Sequence, residues 1–265
     1  MRKTLFFILF LVSSLCHIQA AVTDEMLAPL DSALSHRDDY MRKKELRLDR
    51  LRHSIRYTRD GHKRIALYEK MYEEYYTYRF DSAMSYAKRE YELAVSLKAS
   101  RYITLAQLHR ALLLATSGYY SEAEHLFESV DTSQMDRQLW FTYNWTGLWI
   151  YSYWSGYSQG NDFVTVYDEK RNEYIQRSLS YADKGSALWC YLYAELVYYR
   201  DHDLKTSLHY YSLAEKRAPQ TSRTYASATY GLARCYKEMG QMQRYEYWSI
   251  RSAISDQLCP LKENL

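Results

Sequence analysis

Few residues in this chain are equipped for chemistry. His202 stands between Asp201 and Asp203, the residue types of an acid–base or metal site. No second histidine lies at helical spacing from it, however, and the segment reads as a polar connection between two helices. Asn144-Trp145-Thr146 is a glycosylation sequon, but it falls inside an expected helix, where the acceptor amide is poorly placed for modification. No nucleophile elbow, phosphate-binding loop, dinucleotide glycine motif or HExxH occurs. The expectation is therefore binding and not catalysis, with no cofactor and no metal. Side chains suited to binding are abundant, because 30 residues are tyrosine. Tyrosine is only a middling helix former, so that number reflects packing or contact surface and not local preference.

These side chains must be positioned by helices. Only 8 glycines and 3 prolines punctuate the chain, too few for a turn-rich β architecture. Residues 1–20 read as a secretory signal peptide: Arg2 and Lys3 open it, Leu5 to Val12 are apolar, and small residues follow up to Ala20. The apolar run is too short to span a bilayer, and no later stretch is long enough, so the mature chain is expected to be exported, periplasmic or envelope-associated, without a transmembrane segment. Leu15 before Cys16 does not suit a lipid-attachment signal. Without the leader, basic and acidic residues nearly balance, which gives no support to nucleic-acid binding. Cys190, Cys235 and Cys259 would remain; the first two sit inside apolar helical patterns and read as buried thiols.

Residues 21–60 read as one long amphipathic helix, its seam formed by Leu27, Leu30, Leu34, Met41, Leu48, Leu51 and Ile55, with Arg37 and Lys44 interrupting it. Residues 61–256 change to paired helices: 64–78 with 81–98, 101–117 with 121–130, 187–199 with 204–217, and 225–239 with 244–255. Short connections force antiparallel neighbours, and stacked pairs form a solenoid. Ala111, Gly118, Ala123 and Phe127 fit the tetratricopeptide (TPR) pattern of small residue, turn glycine, small residue and aromatic. Ala233 and Gly240 repeat the first offset, while Ala83, Ser207, Tyr211, Ala214 and Pro219 supply parts of other units. The fold class is thus all-α, a TPR-like superhelix of degenerate helical hairpins preceded by a long helix. Ala83 and Ala123 are 40 residues apart and Ala123 and Ser207 are 84 apart, so the repeats are irregular. Residues 257–265 read as a tail.

In such arrays the first helix of each pair lines a concave groove. That alignment places Tyr68, Tyr72 and Tyr75, then Tyr199, then Tyr230, Arg234 and Lys237 on the inner face. Tyrosine offers rigid amphipathic contact area, and Arg234 with Lys237 could clamp a carboxylate. Between the pairs, residues 138–157 carry Trp145, Trp149 and Trp154 among other aromatics. Their spacing fits either an aromatic platform for sugar rings or a wide core between repeats.

The chain resembles a family of exported, TPR-containing regulator-like proteins of Gram-negative gut bacteria. The resemblance is carried by Leu30-Asp31-Ser32-Ala33-Leu34 with Arg37, Tyr40, Lys44-Glu45 and Leu51, by Tyr72-Glu73-Glu74-Tyr75 and Tyr78-Arg79-Phe80-Asp81-Ser82-Ala83, and by Ala253-Ile254-Ser255-Asp256 with Lys262-Glu263-Asn264. It implies a sensor half followed, in such proteins, by a transmembrane helix and a cytoplasmic part resembling a transcriptional regulator; the sequence stops at Leu265, where that continuation would begin. Three functions follow as expectations. The first is an interaction module that holds a protein, peptide or ligand in its groove. The second is a glycan-binding protein that uses the tryptophans. The third is a scaffold that forms homodimers through the N-terminal rod.

Overall fold

The computed structural model describes residues 24–258, so the leader and residues 259–265 of the tail, Cys259 among them, lie outside it. Helices α1 (Asp24–Ser35) and α2 (Arg37–Tyr57) lead into five antiparallel pairs. These are α3 (Gly61–Tyr76) with α4 (Phe80–Ser96), α5 (Ser100–Thr116) with α6 (Tyr120–Glu128), α7 (Arg137–Tyr157) with α8 (Val164–Leu179), α9 (Ala187–Leu196) with α10 (Leu204–Arg217), and α11 (Arg223–Glu238) with α12 (Met242–Leu258). Among the described residues there is no strand, and no helix is long and apolar enough to cross a membrane. The all-α repeat superhelix expected from the sequence is the fold observed.

The spacing of 84 residues between Ala123 and Ser207 is explained by the α7/α8 pair, a complete hairpin between its neighbours. Ala83, Ala123 and Ser207 are each fully buried, as close packing of paired helices requires. Gly118 and Gly240 end first helices with φ of 85° and 69°, the left-handed region that favours glycine. Cys190 and Cys235 are buried free thiols, and burial pushes the Cys235 thiol up to about 12. Asn144 of the sequon is buried, its amide donating to Trp140 O at 2.7 Å.

The expected N-terminal rod is two helices and not one. At His36 the backbone leaves helical geometry (ψ 6°), and Ser32 O accepts from both Ser35 Oγ and His36 Nδ1 at 2.8 Å. Side chains that bond local carbonyls in this way compete with the helical ladder. The break lets α1 pack against α12 while α2 packs against α3. Lys44, one of the cations interrupting the seam, is buried and anchored to α3 through Glu74 at 3.3 Å. The seam is thus used within the chain.

Contact between α1 and α12 brings the two ends of the superhelix together, and the first helices of alternate pairs meet across its axis. Tyr76 of α3 lies close to Tyr153 of α7, and the Arg223 guanidinium at the start of α11 lies 4.8 Å from the Tyr76 ring centroid. Tyr72 stacks on His109 at 3.8 Å, and His109 bonds the buried Glu90 at 3.1 Å. Much of the concave surface is therefore occupied by the chain's own aromatic side chains.

Two glycines mark where helices come closest. A Cβ at Gly147 would lie 2.7 Å from the Tyr174 ring, and one at Gly231 would lie 2.5 Å from the Tyr211 ring. Tyr211 is fully buried and has nowhere to retreat. Gly231→Ala should therefore destabilise the fold by about 1–2 kcal/mol, overpacking outweighing the helix-propensity gain. Thermal unfolding followed by circular dichroism should show a lower Tm; an unchanged or raised Tm would refute this close approach.

Candidate ligand pocket on the inner face

The inner surface is not filled throughout. A cavity of about 250 Å3 lies between α7, α9, α11 and α12. Tyr191, Glu195 and Tyr199 face it at four-residue steps, as do Ala226, Tyr230 and Arg234 of α11. Helix α7 adds Leu148, Trp149 and Ser152, and α12 adds Ser252 and Asp256. Trp149 and the exposed Tyr230 supply aromatic faces.

The wall of the cavity is fixed by a charged network. Arg234 Nη2 donates to Glu195 Oε1 at 3.1 Å and to the Tyr211 hydroxyl at 2.7 Å, while Nη1 donates to the Tyr199 hydroxyl at 2.5 Å. Tyr211 in turn donates to Glu195 Oε1 at 2.6 Å. The guanidinium carbon lies 3.8 Å from the Tyr198 ring centroid and 4.8 Å from that of Tyr199, so two phenol rings cover it. Burial opposes the Arg234 charge, but Glu195 and the surrounding phenols outweigh that cost and hold it protonated. Burial, reinforced by the Glu195 carboxylate, holds the Tyr211 phenol well above its ordinary range.

Local backbone geometry makes this possible. The expected helix over 187–199 ends at Leu196 and continues as a π-helical turn, Val197–Asp201, closed by His202 in the left-handed region (φ 54°). The wider turn lets two consecutive tyrosines, 198 and 199, meet one guanidinium. Arg171 of α8 packs beneath, 3.6 Å from the Tyr199 centroid, and bonds Asp168 at 2.7 Å. His202 and its flanking aspartates serve this turn: Asp203 caps α10 by accepting from the backbone N–H of Lys205 and Thr206.

Five stacked hairpins with buried small residues in TPR phase agree with what comparison of the sequence with known families finds. Residues 34–265 match the family described as the SusR N-terminal TPR domain. The chain belongs to that family. No curated protein matches it.

In this SusR-family TPR domain the residues singled out from sequence divide into two groups. Tyr199, Tyr230 and Arg234 come together at the cavity, and Trp149 joins them from the aromatic set. Tyr68, Tyr72 and Tyr75 do not. Tyr68 lies 6.0 Å from Tyr86, Tyr72 is buried on His109, and Tyr75 is buried with its hydroxyl accepting from Arg52 at 2.6 Å. Lys237 is exposed and sits 5.7 Å from the Tyr245 ring, so it forms no clamp with Arg234, whose Nη donors are already committed to Glu195 and two tyrosines. The tryptophans form no single platform. Trp145 packs into the core beside Tyr191, and Trp154 stacks on Tyr120 and Tyr167 instead. Sequence reasoning missed Tyr191, Glu195, Ser252 and Asp256; the first two share a four-residue step with Tyr199 and could have been found by it.

Breaking a buried ion pair strands the remaining charge. Arg234→Met should cost about 3 kcal/mol or more in denaturant unfolding, and adding Glu195→Gln should restore part of that loss. Lys237→Ala should stay within about 0.5 kcal/mol of the parent. Equal, small effects for Arg234→Met and Lys237→Ala would contradict the network.

Proposed function

We propose that this domain is a non-catalytic interaction module, the receiving part of a SusR-type regulator, and that it takes its ligand in the α7/α9/α11/α12 cavity. The observation that carries the reading is the cavity itself, lined by Trp149 and the exposed Tyr230, while elsewhere on the concave surface Tyr72 is covered by His109 and Tyr76 packs with Arg223. A cavity of about 250 Å3 fits a small molecule or one side chain of a partner, not a docked helix. A sensing role is supported by α12, whose Ser252 and Asp256 line the cavity while α1 rests on the same helix. Ligand contact with Asp256 would thus bear on the element that joins the two ends of the superhelix. Export is supported by the three-part leader of residues 1–20.

The test is a fragment screen by ligand-observed NMR on the parent and on Ser152→Trp, which puts a bulky ring in place of a small side chain that lines the cavity. Fragments that bind the parent should lose at least about tenfold in affinity on the variant, while its far-ultraviolet spectrum stays helical. Fragments that bind both proteins equally would remove the cavity as the binding site.

A further inference from the structure

We infer that the cavity accepts an aliphatic ammonium group, as carried by a lysine side chain or a free alkylamine; this rests on the cavity being the binding site. Three ionisable side chains line it besides the tyrosines: Arg234, Glu195 and Asp256. Arg234 does not present its charge to a ligand. Its Nη donors are engaged by Tyr199, Tyr211 and Glu195, and the rings of Tyr198 and Tyr199 lie over it. Glu195 neutralises it through Oε1, and Tyr211 uses that same oxygen. Asp256, exposed on α12, is what remains, a carboxylate with no basic partner among the described residues. The lining thus carries one more negative than positive charge.

An anion entering the cavity meets Asp256 and the Glu195 carboxylate, while both Nη atoms of the one cation are engaged in internal bonds and its Nε is shielded. A neutral ligand leaves Asp256 without a counter-ion. An ammonium group pairs with Asp256 and gains from the faces of Trp149 and Tyr230, and Leu148 with the Trp149 ring gives an alkyl stem an apolar wall. Each attraction is modest at a partly open site, and together they amount to about tenfold in affinity over an uncharged isostere.

The experiment titrates the whole chain with butylammonium, butan-1-ol and butanoate, followed by ligand-observed NMR at neutral pH and low salt. Butylammonium should bind about tenfold more tightly than butan-1-ol, with butanoate weaker than both. Asp256→Asn should bring butylammonium down to the level of the alcohol, and Ser152→Trp should abolish both. Equal or tighter binding of the alcohol or of butanoate, no binding of the amine, or an Asp256→Asn variant that behaves like the parent would overturn the ammonium assignment. In the first case loss of alcohol binding on Ser152→Trp would keep the cavity as the site. Amine binding that survives Ser152→Trp would sink the assignment and the cavity reading together. A blocked Gly-Lys-Gly peptide then assigns the source: tighter binding than butylammonium points to a partner's lysine and weaker binding to a free amine, and either order supports the inference.

Discussion

A guanidinium shut between tyrosine rings and tied to one carboxylate organises the C-terminal half of this superhelix. Arg234 joins α11 to α9 through Glu195, to the π turn that follows it through Tyr199, and to α10 through Tyr211. Buried charges are costly unless paired and hydrogen-bonded, so the surrounding geometry has little freedom. Gly231 must lack a side chain so that Tyr211 can reach the pair. The backbone must widen into a π turn so that Tyr198 and Tyr199 can both cover the cation. Even Arg171, one helix away, is positioned against the far partner of this arrangement, the Tyr199 ring. Hydrophobic burial alone would tolerate small slides between these helices; a directional network does not.

Closure of the superhelix has the opposite character, being largely aromatic. An open TPR array offers its whole concave face to a partner. Here alternate repeats touch across the axis through Tyr76, Tyr153 and Arg223, and α1 meets α12. The abundance of tyrosine follows from this geometry. A phenol ring fills a wide gap as an apolar body while its hydroxyl still finds a partner, as Tyr75 does with Arg52 and Tyr151 with Glu124. Beside these contacts lies the cavity whose wall the Arg234 network fixes.

Local chemistry was legible in the sequence to the extent that it is local. Helix α10 spans the residues its pattern indicates, because Asp203 caps one end and Pro219 follows the other. The inner-face spacing located Tyr199, Tyr230 and Arg234 for the same reason: four-residue steps set which side chains share a helix face. What the pattern could not show is long-range. The identical spacing of Tyr68, Tyr72 and Tyr75 gave no sign that they are covered, since their partners Tyr86, His109 and Arg52 lie on other helices. The break at His36 was hidden because the apolar seam runs through it in register. The helices of the α7/α8 pair could not be placed in TPR phase from sequence because aromatics surround Gly147, whose missing side chain only the ring of Tyr174 explains. Nor does apolar periodicity encode a π turn.

Arg234 is the residue on which this half of the superhelix turns, and its side-chain NMR signals report its bonding directly. Nε has no protein partner and is shielded from solvent, while both Nη atoms are bonded. With the signals assigned by their loss in Arg234→Lys, 15N-resolved spectra should show separate, slowly exchanging Nη protons on a guanidinium whose rotation is blocked. A single averaged Nη signal exchanging as fast as that of a surface arginine would contradict the account.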